Sequence, residues 1–201
     1  MIDPPEAAAA PRRRRSDARR SIDAILDAAR VVLGERPDAS MEEVAATAGV
    51  TRQTVYAHFA SRDALVVALV EAAAAEYLAA LDAAGLDSAP PADALARFLD
   101  AGWQFLRRHP LLLNPTAPGA PQPNRNALSE VVPRRLERLI QRGRHTGDFD
   151  AALPAGWLAD AVIALQHTAA AQLAAGRVTT DEAATLCLES ALRLCGDGTR
   201  R

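Results

Sequence analysis

The residues best suited to chemistry lie close together, between Ser40 and Arg62. Thr51, Arg52, Gln53, Thr54, Tyr56 and His58 crowd into one short stretch. Nearly all carry a hydrogen-bond donor, many are short, and Arg52 is the one permanent charge among them. The edges of bases in a DNA major groove ask for such a set, since Arg can bind guanine and Gln can bind adenine. Hydroxyls and small polar groups suit phosphate oxygens. Other chemistries find little support. His58, His109, His145 and His167 are far apart in sequence, with no metal-ligand spacing. The chain has no Gly-rich phosphate loop and no serine nucleophile elbow. No catalytic residue, metal or cofactor is expected, and the chain reads as a non-enzyme.

Two short helices must position that set. Ser40, with Glu43 three residues on, makes a capping box. Met41, Val44, Ala45 and Ala48 then form an apolar face. Ala48-Gly49-Val50 predicts a tight turn, with Gly49 taking a backbone shape that a Cβ resists. Small residues at Ala45, Ala46 and Ala48 allow a close helix crossing. Thr51 caps the second helix, and Val50, Val55 and Phe59 face inward. This is the arrangement of a helix-turn-helix. Upstream, Ile22, Ile25, Leu26, Ala29, Val32 and Leu33 keep helical spacing until Gly34 and Pro37 stop it. Downstream, Ser61 caps a long helix from 62 to about 84.

The run Ala48-Gly49-Val50-Thr51-Arg52-Gln53-Thr54-Val55-Tyr56-Ala57-His58-Phe59, then Ser61-Arg62-Asp63-Ala64-Leu65, resembles the signature of the TetR family of bacterial repressors. The likeness extends from about Ile22 to Leu69; the remainder agrees only in helix order and length. The resemblance implies a three-helix DNA-binding head, a connecting fourth helix and a helical ligand-binding and dimerisation domain. It implies a ligand-responsive homodimer, most simply a repressor, on a palindromic DNA operator, with a ligand-independent regulator as the alternative. By position, Arg52 and Gln53 would contact bases. Thr51, Thr54, Tyr56 and His58 would contact phosphates or fix the helix on the backbone. Arg62 would bind phosphate, and Ser40 would bring a hydroxyl and a helix N-terminus near one. The residues alone leave alternatives open: Tyr56 as a packing residue, His58 as a turn cap, Arg52 as a phosphate clamp.

Composition agrees with a helical protein. Of 201 residues, 46 are Ala, and aromatics make up 4%. Ala is the best helix former and β-formers are sparse, so an all-α fold is expected and a β-sandwich is not. All 23 basic residues are Arg. The net charge of −2 conceals a division: residues 11–62 hold ten Arg against seven acids, and 63–201 hold thirteen against sixteen. The expected organisation is a disordered basic arm at 1–18, a helix-turn-helix domain at 19–63 and a helical domain at 64–201. The run Arg12 to Arg15 reads either as an arm reaching DNA or as a solvated tail. Cys187 and Cys195 read as packing residues in a reducing compartment. The first residues lack the apolar run of a secretory leader. The most apolar stretch, taken as 151–175, is interrupted by Asp160, Gln166, His167 and Gln172. No membrane span is expected, and the chain reads as cytoplasmic.

Helices are also expected at 92–108, 126–144, 155–175 and 180–195, with a Pro-rich loop over 110–124 and Pro133 near a helix start or at a kink. The helix at 155–175 carries two apolar stripes. Trp157, Ala161, Ala164, Thr168, Ala171 and Ala175 form one, and Leu158, Val162, Leu165, Ala169 and Leu173 the other. Two faces need two partners, so the first stripe, with Leu186, Ser190 and Leu194 of the last helix, is the expected dimer interface. A pocket for an unknown, largely apolar effector would draw on Tyr77, Phe98, Trp103, Phe105, Leu111 and Leu139. His109, Gln104, Gln166 or His167 would supply its polar contacts.

Overall fold

Among the described residues of the computed structural model, 9–109, 111, 128–150 and 152–196, every regular α or β element is a helix. In order these are α1 (Ala9–Glu35), α2 (Met41–Ala48), α3 (Arg52–His58), α4 (Arg62–Ala83), α5 (Pro91–Arg108), α6 (Leu128–Thr146), α7 (Ala155–Ala174) and α8 (Thr180–Cys195). The fold is all-α. The described residues divide into two units, with the boundary between Val70 and Glu71, inside α4. It falls later than the expected 63/64, because Leu65, Val66 and Leu69 in the first turns of α4 are core residues.

In the first unit, α1 packs on α2 and α2 on α3. Ile25, Ala29, Leu33, Val44, Val55 and Leu65 are almost fully buried. Helix α1 starts at Ala9, although a disordered arm was expected through residue 18. Ala and Arg both favour the helix, and a helix needs no apolar face to begin. The side chains of Arg12 to Arg15 lie outside the described residues. The turn after α2 is a Schellman motif: Val50 N–H donates to Ala45 O (3.1 Å) and Gly49 N–H to Ala46 O (3.2 Å). Gly49 has φ 67°, and a Cβ there would meet nothing within 4 Å. Backbone conformation, not space, demands glycine. Ala45 is buried, but Ala46 is exposed, so it takes no part in the helix crossing expected of it.

The second unit contains the end of α4 and α5 to α8. Helix α7 packs on both α6 and α8, and α5 also packs on α6 and α8. Leu95, Phe98, Leu136, Ile140, Val162 and Ala191 lie at the centre of the core. Gly102 allows one close approach. A Cβ there would lie 2.2 Å from Gln166 Nε2, which donates to Leu99 O at 3.0 Å. Pro133 lies inside α6, in its second turn. Helix α4, not residues 151–175, is the stretch of described residues long and apolar enough to cross a membrane, with mean hydropathy 1.9 over its best window and 44% of that window buried. Its hydropathy comes mostly from Leu and Val, and Leu65, Leu69 and Leu81, with Tyr77, are buried in packing.

Candidate nucleic-acid interface

Each helix of the helix-turn-helix starts on a side-chain cap. Ser40 Oγ accepts from Glu43 N–H (3.3 Å), while Glu43 Oε2 accepts from Ser40 N–H (2.8 Å) and from its hydroxyl (3.0 Å). The capping box is complete. Arg36 also pairs with Glu43. The Ser40 backbone N–H, then Arg36 and the Ser40 hydroxyl, hold the Glu43 carboxyl below its usual range. Thr51 Oγ1 accepts from Thr54 N–H (3.1 Å) and lies 2.8 Å from Thr54 Oγ1, so both hydroxyls serve the start of α3.

The outer face of α3 is left open. Arg52, Gln53 and Tyr56 are exposed, while Val55 and Phe59 are buried. The spacing of one and three residues puts those three polar groups on a single side of the helix. Tyr56 is 42% exposed, so its ring is not a core residue of the head. The Arg52 guanidinium carbon lies 5.4 Å from the Tyr56 ring centroid, within cation–π range. Its Nη1 lies 3.5 Å from Glu42 Oε2. Glu42 is a neighbour that sequence reading missed; ten residues of separation carry no periodic signal, and only the turn brings the two together. His58 is half-buried at the end of α3, and the backbone N–H that closes the helix belongs to Phe59.

Arg62 is engaged differently from its expected phosphate role. Its Nε donates to Ala39 O (3.3 Å) and its Nη2 to Pro37 O. The part-buried guanidinium thus joins the start of α4 to the α1–α2 connection. A family motif predicts a basic residue here, but only the fold gives it carbonyl partners.

The second unit gathers most of the expected pocket. Tyr77, Phe98, Trp103, Leu139 and Gln166 are buried, as are His109 and Leu111, and Phe105 is partly so. The Tyr77 and Phe105 rings stack at 4.6 Å, and Phe105 lies 5.0 Å from the His109 ring. Glu76 binds both Arg108 Nη1 (2.7 Å) and His109 Nε2 (3.2 Å). The Arg108 hydrogen bond is the first cause that lowers its carboxyl. Burial raises the Tyr77 hydroxyl. Trp103 Nε1 is buried with no hydrogen-bond partner. Two expected polar contacts fail. His167 is exposed, because Val162, Gln166 and Ala170 take the core face of α7 and the next residue turns away from it. Gln104 is exposed and donates to Asp100 (2.8 Å). The Pro-rich loop lies outside the described residues, apart from Leu111.

The two stripes of α7 separate. Leu158 and Val162 are buried, whereas Trp157 is 57% exposed and Ala164, Thr168 and Ala171 are exposed too. Ala161 is half-buried. On α8, Leu186 is 53% exposed, and Ser190 and Leu194 are half-buried. Cys187 and Cys195 are both free and buried, and burial pushes each thiol up to about 11.

Residues 25–69, the segment from α1 through the start of α4, match the family model of bacterial regulatory proteins, tetR family. Within 78 residues the chain is 38% identical to the HTH-type transcriptional repressor LfrR of Mycolicibacterium smegmatis. Beyond that segment, the fold resembles the crystal structure of LfrR in complex with proflavine, with TM-score 0.67 and 26% identity, covering 86% of this chain and 95% of that one. The chain carries a TetR-family domain at residues 25–69. The sequence match to LfrR spans 39% of this chain and 41% of the repressor. The fold is shared more widely. Bacillus subtilis FadR, solved in complex with stearoyl-CoA, has TM-score 0.68 at 14% identity, over 84% of this chain and 96% of that one.

Proposed function

We propose that this chain is a sequence-specific DNA-binding transcriptional regulator, a ligand-responsive homodimeric repressor of a palindromic operator. The observation that carries this reading is the open polar face of α3, where Arg52, Gln53 and Tyr56 stand exposed on a helix fixed by caps at both sides of its turn. A guanidinium and an amide on one face can read guanine and adenine edges. Tyr56 stacks against Arg52 and offers a hydroxyl to the DNA backbone. Ser40, Thr51, Thr54 and His58 are the candidates for phosphate contacts, with the Ser and Thr hydroxyls serving first as caps.

Dimerisation is supported by the exposed stripe of Trp157, Ala164, Thr168 and Ala171 on α7 and by the exposed Leu186 on α8. Large apolar groups on an outer helix face favour a partner. Two copies would present two α3 helices to successive major grooves of one site. The effector reading rests on Tyr77, Phe98, Trp103, Phe105, His109, Leu139 and Gln166. The buried Trp103 N–H lacks an acceptor, which a bound molecule would provide. Two similar structures contain small molecules, proflavine in LfrR and stearoyl-CoA in FadR. The regulator acts in the cytoplasm, where its DNA is. A ligand-independent regulator is the second reading; full burial of Phe98 and the tight seat of Gln166 on Gly102 favour it.

Selection of bound DNA from a random pool tests the central claim. A palindromic site with half-sites about one helical turn apart is the expected product. A pool that never enriches a site, or that enriches equally with R52A/Q53A protein, overturns it.

A further inference from the structure

One cavity of the second unit shares only Leu139 with the residues of the effector reading above. It opens between the end of α4, the α4–α5 turn and α6, and measures about 280 Å³. Ligand sites commonly run from about 300 to 1,000 Å³, so its guest is small. Leu81, Leu86 and Leu139 give it an apolar wall. Asp82, Asp87, Arg135 and Arg138 also line it, so its two charges of each sign balance.

One of those pairs is already closed, with Arg135 Nη1 2.5 Å from Asp82 Oδ1. Neither Asp87 nor Arg138 has an ion-pair partner among the described residues. The turn that carries Asp87 is nevertheless held firmly. Arg142 donates to the carbonyls of Leu86 (2.7 Å), Ala89 (2.8 Å) and Asp87. A cavity with a fixed wall and one unpaired ion of each sign is preorganised for a guest that carries both.

We propose that this cavity binds a small zwitterion, an apolar α-amino acid. Its carboxylate lies on the Arg138 guanidinium, whose planar donors match a carboxylate. Its ammonium lies on Asp87, and its side chain rests on the leucine wall. An anion alone would leave Asp87 unmatched, and a cation alone would leave Arg138 unmatched. The site is separate from the aromatic cluster around Tyr77 and Trp103, and it stands whether or not that cluster takes an effector.

Isothermal titration of the full chain with L-leucine tests this, alongside L-valine and L-methionine. Isocaproate and isoamylamine serve as single-charge controls. Saturable one-to-one binding of L-leucine is expected, weakened about tenfold or more for either control, the scale of one charge-assisted contact. Arg138→Ala and Asp87→Asn should each weaken it similarly while leaving circular dichroism and Tm unchanged, since both side chains are exposed. Arg134→Ala, on the same helix but outside the cavity, should bind as the parent does. The proposal falls if none of the three amino acids binds saturably, if isocaproate binds as well as L-leucine, or if R138A and D87N bind undiminished.

Discussion

Arg52 and Arg62 are ten residues apart, and their surroundings give them opposite tasks. The Arg52 guanidinium lies on the open face of α3, with an exposed Glu42 at 3.5 Å and the Tyr56 ring at 5.4 Å. Exposed contacts of this kind contribute about 0–1 kcal/mol, so little holds Arg52 back from a base. The Arg62 guanidinium is part-buried and joined to Pro37 and Ala39 carbonyls. Arg52→Ala should leave Tm nearly unchanged and remove about 1–3 kcal/mol of operator discrimination, read by fluorescence anisotropy on matched and mismatched sites. Arg62→Ala should do the reverse, costing about 1–3 kcal/mol in urea denaturation because two carbonyls lose a charged donor. An R62A protein of normal stability whose operator binding shows a reduced salt slope would instead return Arg62 to the phosphate role.

At the scale of elements, caps and close approaches decide stability. Glu43 closes the α2 capping box, and its carboxyl lies below its ordinary value of 4.5 because Ser40 and Arg36 favour the ionised form. A depressed folded value means that the contribution is present above 4.5 and is lost as pH falls through the folded value. The stability gap between the parent and Glu43→Gln should therefore hold at neutral pH and shrink in denaturation series taken below 4.5; a gap that widens toward acid would contradict this. The seat of Gln166 on Gly102 makes a second expectation. Gly102→Ala pushes the Gln166 amide off Leu99 O and leaves buried polar groups unmatched, at about 1–3 kcal/mol. Adding Gln166→Ala should recover part of that loss, so the double variant should be more stable than the sum of the two singles. Strict additivity would show that the two residues do not share a contact.

The whole molecule adds the question of what covers α7. Leu158, Val162 and Gln166 turn inward, and Trp157, Ala164, Thr168 and Ala171 are left outside with Leu186. Leu186→Glu places a charge on that exposed face without entering the core. Sedimentation should show the parent as a dimer and this variant as a folded monomer, and the variant should bind a whole operator no better than a half-site. A variant that sediments as the parent does would move the interface elsewhere. Charge also divides at this scale, with the Arg excess in residues 11–62 and the acidic excess beyond, as the proposed DNA-binding role of the first segment requires.

Local rules settled much of this protein before any tertiary contact was known. Ser40, Glu43, Gly49 and Thr51 announce their roles because caps and turns are made within a few residues of chain, and each took that role. Helical periodicity placed α2 to α5, α7 and α8 within a residue or two of their ends, since one buried face leaves its spacing in the sequence. Contacts that join distant segments leave no such trace. The pairing of Glu42 with Arg52, the capture of Arg62 by Pro37 and Ala39, the exposure of His167 beside a buried Gln166, and the cavity around Arg138 and Asp87 each depend on how one helix packs on another. A helix fixes which residues share a face, but the choice of which face is buried belongs to the fold.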